Sequence, residues 1–102
     1  MANIIDEITK KAVAYMSAKE FRRCSMENIE PKTNDGMFFL DVSSSMCHAV
    51  FDISSNDPQE ALLYCDDNHW RICTRKLSTD KWSDSIPFGV PHFKWIRQGV
   101  LE

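Results

Sequence analysis

From residue 4 onward the apolar positions recur at helical spacing. Ile4, Ile5, Ile8, Ala12, Tyr15 and Met16 fall on one side of a helical wheel together with Lys19, while Asp6, Glu7, Lys10, Lys11 and Ser17 point elsewhere. The pattern predicts one amphipathic helix over residues 4–19. Asn3 stands where an N-cap belongs, and Asp6 with Lys10 and Glu7 with Lys11 make i,i+4 pairs in the favourable order, worth a few tenths of a kcal/mol each.

After the helix the period changes to two. Residues 21–29 form a strand candidate. Turn formers crowd residues 31–36, and the Met-Phe-Phe-Leu-Asp-Val run over Met37–Val42 predicts a strand. Three serines follow. Residues 46–53 alternate, with Cys47, Ala49, Phe51 and Ile53 on one face and His48 and Asp52 on the other, so this strand is expected to be solvated on one side. Residues 60–65 and 69–77 flank Asp66-Asp67-Asn68 and read as a hairpin. A three-residue loop there sets Tyr64 opposite Trp70 and Leu62 opposite Ile72. Residues 81–85 form a short strand candidate, 86–91 look irregular, and 93–101 read as a last strand or a short helix. The expected fold is one α+β domain spanning residues 1–102, with an N-terminal amphipathic helix packed on a mainly antiparallel sheet of about five strands.

Composition supports a single core. The chain has 102 residues, 43% hydrophobic and 26% charged, with only three glycines and four prolines. A chain of this length buries roughly two-thirds of its unfolded surface and needs no covalent staple. Acids occupy the first residues where a secretory signal carries bases, and charges interrupt every apolar run well short of the roughly 18 residues that span a bilayer. A cytoplasmic protein is therefore expected, with Cys24, Cys47, Cys65 and Cys73 as free thiols.

The net charge of −3 is unevenly spread. Residues 52–67 hold five acids, Asp52, Asp57, Glu60, Asp66 and Asp67, and no base. Residues 71–97 hold six bases, Arg71, Arg75, Lys76, Lys81, Lys94 and Arg97, against Asp80 and Asp84. In the hairpin the acidic strand lies beside the basic one, so much of this dipole is neutralised internally.

Candidate chemistry is sparse. Cys65, His69 and Cys73 are ligand types for zinc, but their four-residue spacing is not that of a metal knuckle, and no metal or other cofactor is expected. Cys47 and His48 are adjacent on a strand, so they face opposite ways and form no catalytic dyad. No nucleophile elbow, phosphate-cradling glycine loop or His-Glu-x-x-His sequence occurs, and no catalytic residue is assigned. The C-terminal third interleaves Trp70, Trp82, Phe93 and Trp95 with cations, a mixture suited to single-stranded nucleic acid.

The preferred expectation is a non-enzymatic module that binds another protein with a basic surface. Its concrete form is a small acidic inhibitor or immunity-type protein that neutralises a partner such as a nuclease toxin. Asp52, Asp57, Glu60, Asp66 and Asp67 would steer the partner, and Trp82, Phe88, Phe93 and Trp95 would anchor it. A nucleic-acid-associated protein is the alternative, and a small hydrolase or a metal or thiol site ranks third.

Overall fold

The computed structural model describes residues 4–26, 29–97 and 100–101. The N-terminal stripe does form a helix, α1 (Ile4–Lys11), but a shorter one than the periodicity predicts. The Ala12 amide donates a last helical bond to the Ile8 carbonyl at 2.8 Å. Val13 then donates to the Phe39 carbonyl at 2.9 Å and accepts from the Ile96 amide at 3.1 Å. Ala14–Met16 continue as β1, a three-residue strand with Ala14 opposite both Phe39 and Trp95. Tyr15 and Met16 fit a helical stripe or a strand equally well. Pairing decides, because flanking strands satisfy the backbone on both sides and bury Ala14 and Met16. The expected cap, Asn3, and the side chain of Asp6 lie outside the described part.

A second helix, α2 (Ala18–Cys24), replaces the first half of the strand expected over 21–29. Ser17 caps it, its hydroxyl accepting from the Glu20 amide at 3.2 Å, and Glu20 turns to Arg23 at 2.7 Å. Among the described residues of the expected strand only a single bridge survives, Ser25 to Phe88, and residues 27 and 28 lie outside them.

The sheet then builds as a meander. Strand β2 (Met37–Val42) forms where expected, and β3 (Met46–Phe51) stops early because Asp52 adopts a positive φ of 54°. A bulge between Phe39 and Asp41 inserts Leu40 as an extra residue, so that Asp41 pairs with His48. Gly36 enters β2 at φ 78°, where a Cβ would lie 2.5 Å from the Met16 carbonyl oxygen.

Strands β4 (Gln59–Asp66) and β5 (His69–Lys76) confirm the hairpin but correct its register. The loop is two residues, Asp67 and Asn68, both left-handed at φ 52° and 65°, the geometry of a type I′ turn. Asp66 therefore pairs with His69, Tyr64 with Arg71, Leu62 with Cys73 and Leu63 with Ile72. A one-residue slip exchanges faces, so Trp70 meets Cys65 on the core side and Tyr64 lies on the other side. Residues 81–85 are not a strand. They are pinned to β5 where the Ser83 amide reaches the Thr74 carbonyl at 2.8 Å. Strand β6 (Ile86–Phe88) forms across Pro87 in the stretch expected to be irregular, and the last segment forms β7 (Lys94–Arg97) and β8 (Val100–Leu101).

All pairings are antiparallel, in the order β6-β5-β4-β3-β2-β1-β7-β8. In a flat sheet β6 and β7 would stand six spacings apart, about 29 Å. Residues 89–93 reach at most about 22 Å. The sheet must therefore curl, and the inner face holds the main core: Met16, Met37, Phe39, Cys47, Phe51, Leu63 and Ile72. Helix α2 plugs the opening, with the Phe21 ring 5.6 Å from both Phe51 and Phe88. Helix α1 lies on the outer face, where Ile8 and Ala12 join Phe38, Leu40, Val50 and Ile53.

The class is thus α+β dominated by an antiparallel sheet. The expected lid on about five strands becomes two short helices, one per face, on eight strands among the described residues. No helix among them is long and apolar enough to cross a membrane.

Candidate functional site

Among the described side chains, helix α1 packs on the β1–β2 side of the outer face and on the cluster that includes Val50 and Ile53. Beyond it, the outward residues of β3, β4 and β5 form a ladder in which His48, Leu62 and Cys73 make one row, Met46, Tyr64 and Arg71 the next. Met46 is 50% exposed, and Leu62 and Tyr64 are half-buried. Asp41, Asp66 and Asp67 rim this area, all exposed. Beside the first row lies a hollow of about 420 Å³ lined by Asp41, Val42, Ser43, Met46, His48 and Leu62.

Beneath it sits a charged network. Glu60, only 9% exposed, accepts from His48 Nε2 at 2.7 Å on one oxygen and from Arg75 on the other. Arg75 also donates to the Thr79 carbonyl at 3.1 Å and lies 5.2 Å from the centre of the Trp82 ring. The hydrogen bond from His48 holds the Glu60 carboxyl below its ordinary pKa; burial opposes this and Arg75 adds to it. Glu60 and Arg75 are direct cross-strand partners, so the acidic strand meets the basic one in this one ion pair, and the other four acids of residues 52–67 are not neutralised by it.

The acidic residues singled out in the sequence do not form one surface. Asp52 is fully buried, its carboxylate accepting from the Lys32 amide at 2.7 Å, the Thr33 amide at 3.2 Å and Gln59 Nε2 at 2.8 Å. Glu60 is committed to its network, and half-buried Asp57 accepts from the Ser78 hydroxyl at 3.2 Å. Only Asp66 and Asp67 stand free at the hairpin tip. They are separated from Asp57 and Glu60 by most of β4, roughly 20 Å.

The aromatic residues divide similarly. Phe88 is in the core, Phe93 stacks edge-on against Phe39 at 4.6 Å, and Trp82 lies half-buried beside Arg75. Trp95 alone of the four is exposed, at 54%. The proposed nucleic-acid set is also thinned, because Arg71 donates to the Ser85 hydroxyl and carbonyl, both at 2.9 Å, while Trp70 packs on the core.

The corrected register separates Cys65 from His69 and Cys73, which face outward. No group of three or more His, Cys, Asp or Glu among the described residues is placed to hold a metal ion. Cys47 is buried on the inner face and His48 lies outside, as alternation requires. All four cysteines are free thiols, and burial raises the pKa of Cys24, Cys47 and Cys73, disfavouring the reactive thiolate.

His48, Asp41 and Met46 were missed as functional candidates. Alternation does mark His48 as outward-facing, but its tie to Glu60 needs the three-strand register, and Asp41 reaches the same face only through the bulge.

No protein family, curated protein or solved structure matches the chain.

Proposed function

We propose that the chain is a non-enzymatic module that binds another protein with a basic surface, and that the uncovered outer face around Met46, Leu62 and Tyr64 is where that partner sits. One observation carries this reading: an apolar ridge on paired strands, Met46 exposed and Leu62 and Tyr64 half-buried, rimmed by the exposed Asp41, Asp66 and Asp67. Apolar centres with charged rims suit specific association, and the rim's sign favours a cationic approach. An inhibitor or immunity-type protein that masks a basic nuclease or similar toxin is the concrete form of this proposal, in a cytoplasmic setting.

The test is capture of a basic protein from native lysate by the full chain. Met46→Lys and Asp66→Lys are expected to abolish or strongly weaken capture and Trp95→Ala to leave it intact, with capture declining as salt rises. Capture that survives both lysine substitutions overturns the reading. A second reading rests on exposed Trp95, which shares β7 with Lys94 and Arg97. If Trp95→Ala removes salt-sensitive binding of single-stranded oligonucleotides while the Met46 and Asp66 variants do not, this nucleic-acid alternative takes its place.

A further inference from the structure

We propose that the hollow beside His48 is a receptor for one cationic side chain, the ammonium of a lysine or the guanidinium of an arginine, carried by the basic protein partner. This inference rests on the partner reading above and narrows it to a single contact.

The hollow presents acceptors and apolar walls but no spare donor. Met46 and Leu62 offer methyl and methylene surface to the stem of a long side chain. Asp41 is exposed and has no ion pair or hydrogen bond among the described residues, so its carboxylate is free to meet a charged head. The Ser43 hydroxyl spends its one proton on the Met46 carbonyl at 2.9 Å and accepts from the Met46 amide at 3.1 Å.

The tautomer of the neutral His48 ring follows from its neighbour. Glu60 is ion-paired with Arg75 and held in its ionised form, so it can only accept, and the proton of the neutral imidazole must sit on Nε2. Nδ1 then carries a lone pair. It has no hydrogen-bond partner among the described residues, and no buried side-chain nitrogen or oxygen there lacks one, so Nδ1 is open to solvent.

The charged groups facing the ring are Asp41 from β2 and Glu60 from β4, with Arg75 of β5 behind Glu60. An incoming cation donates to Asp41 and to Nδ1 together. An anion finds no donor there.

The experiment titrates the isotopically labelled full chain with N-acetyl-lysine methylamide and N-acetyl-arginine methylamide. The uncharged N-acetyl-norleucine methylamide is the control, and the Met46 methyl and His48 imidazole resonances are the readout. Saturable shifts with a cationic probe and none with norleucine are expected, and the stronger binder distinguishes ammonium from guanidinium. Asp41→Asn is expected to weaken binding about tenfold, the loss of one charge-assisted hydrogen bond.

Equal shifts with norleucine, no saturable shift at Met46 with either cation, or an unchanged affinity in Asp41→Asn each overturn the proposal. The two readings fail separately. Partner capture lost in Met46→Lys but unchanged in Asp41→Asn removes the receptor hollow and leaves the partner face standing.

Discussion

Two buried carboxylates govern what single substitutions do to this protein. Glu60 is anchored on both oxygens, so its charged form belongs to the folded state. Because its folded pKa is lowered, the stability it contributes is complete above the ordinary glutamate value, about 4.3, and is lost as pH falls through the folded value. Urea denaturation of the wild type is expected to show a decline below about pH 4.5 that is reduced in Glu60→Gln. At pH 7 the same variant is expected to be less stable by about 1–3 kcal/mol, since Arg75 loses its close, buried counter-ion and keeps only the exposed Asp80 at 3.8 Å. Asp52 has a different task, tying the loop before β2 to the turn after β3. Asp52→Ala removes three hydrogen bonds at a left-handed position and is expected to cost about 3 kcal/mol. Asp52→Asn is expected to cost less, because asparagine tolerates the conformation and Gln59 can rotate its amide to match. Thermal denaturation of the pair separates backbone conformation from charge.

Among the elements, legibility in the sequence followed length and local consistency. Strand β2 could be read because an apolar run is bracketed by turn formers, and β3 because Cys47, Ala49 and Phe51 alternate inward, although Ile53, which continues that alternation in the sequence, packs on the outer face beyond the strand. Strand β1 could not, since three residues are too few to show a period and its pairing partners are remote. The second helix carried a readable sign that the hydrophobic pattern masked: Ser17 with Glu20 three residues on is the start of a helix rather than the middle of one. The polar run Asp66-Asp67-Asn68 announces a turn without fixing its length, and one residue decides which face Tyr64 and Trp70 occupy. The site was therefore legible only in part, as an outward-facing histidine and the Asp66 and Asp67 of its rim. The tie of His48 to Glu60 and the place of Asp41 waited on register and bulge. Ser17→Ala is expected to cost about 1 kcal/mol through the lost cap. Gly36→Ala is expected to cost more, about 2–3 kcal/mol, because a Cβ there collides with the Met16 carbonyl and the backbone is left-handed. Calorimetry on both variants checks the order.

For the molecule as a whole, the meander from β2 to β6 is built from neighbours in the chain, whereas the Ala14 to Trp95 pairing joins segments from opposite ends of it. The curl of the sheet and the seating of α2 depend on that joint. Closing so long a loop costs chain entropy before any contact repays it, which places it late among folding events. Pulse-labelled hydrogen exchange during refolding is expected to protect the Cys65 amide, bonded to the nearby Ser45 carbonyl, before the Ile96 amide, bonded to Val13. Simultaneous protection would contradict this order. Three residues of β1 are thus the keystone of the assembly history. Until they are gripped on both sides, the chain is an open ribbon with its future interior showing, and the interval before closure is when it is most exposed to pairing with another copy of itself.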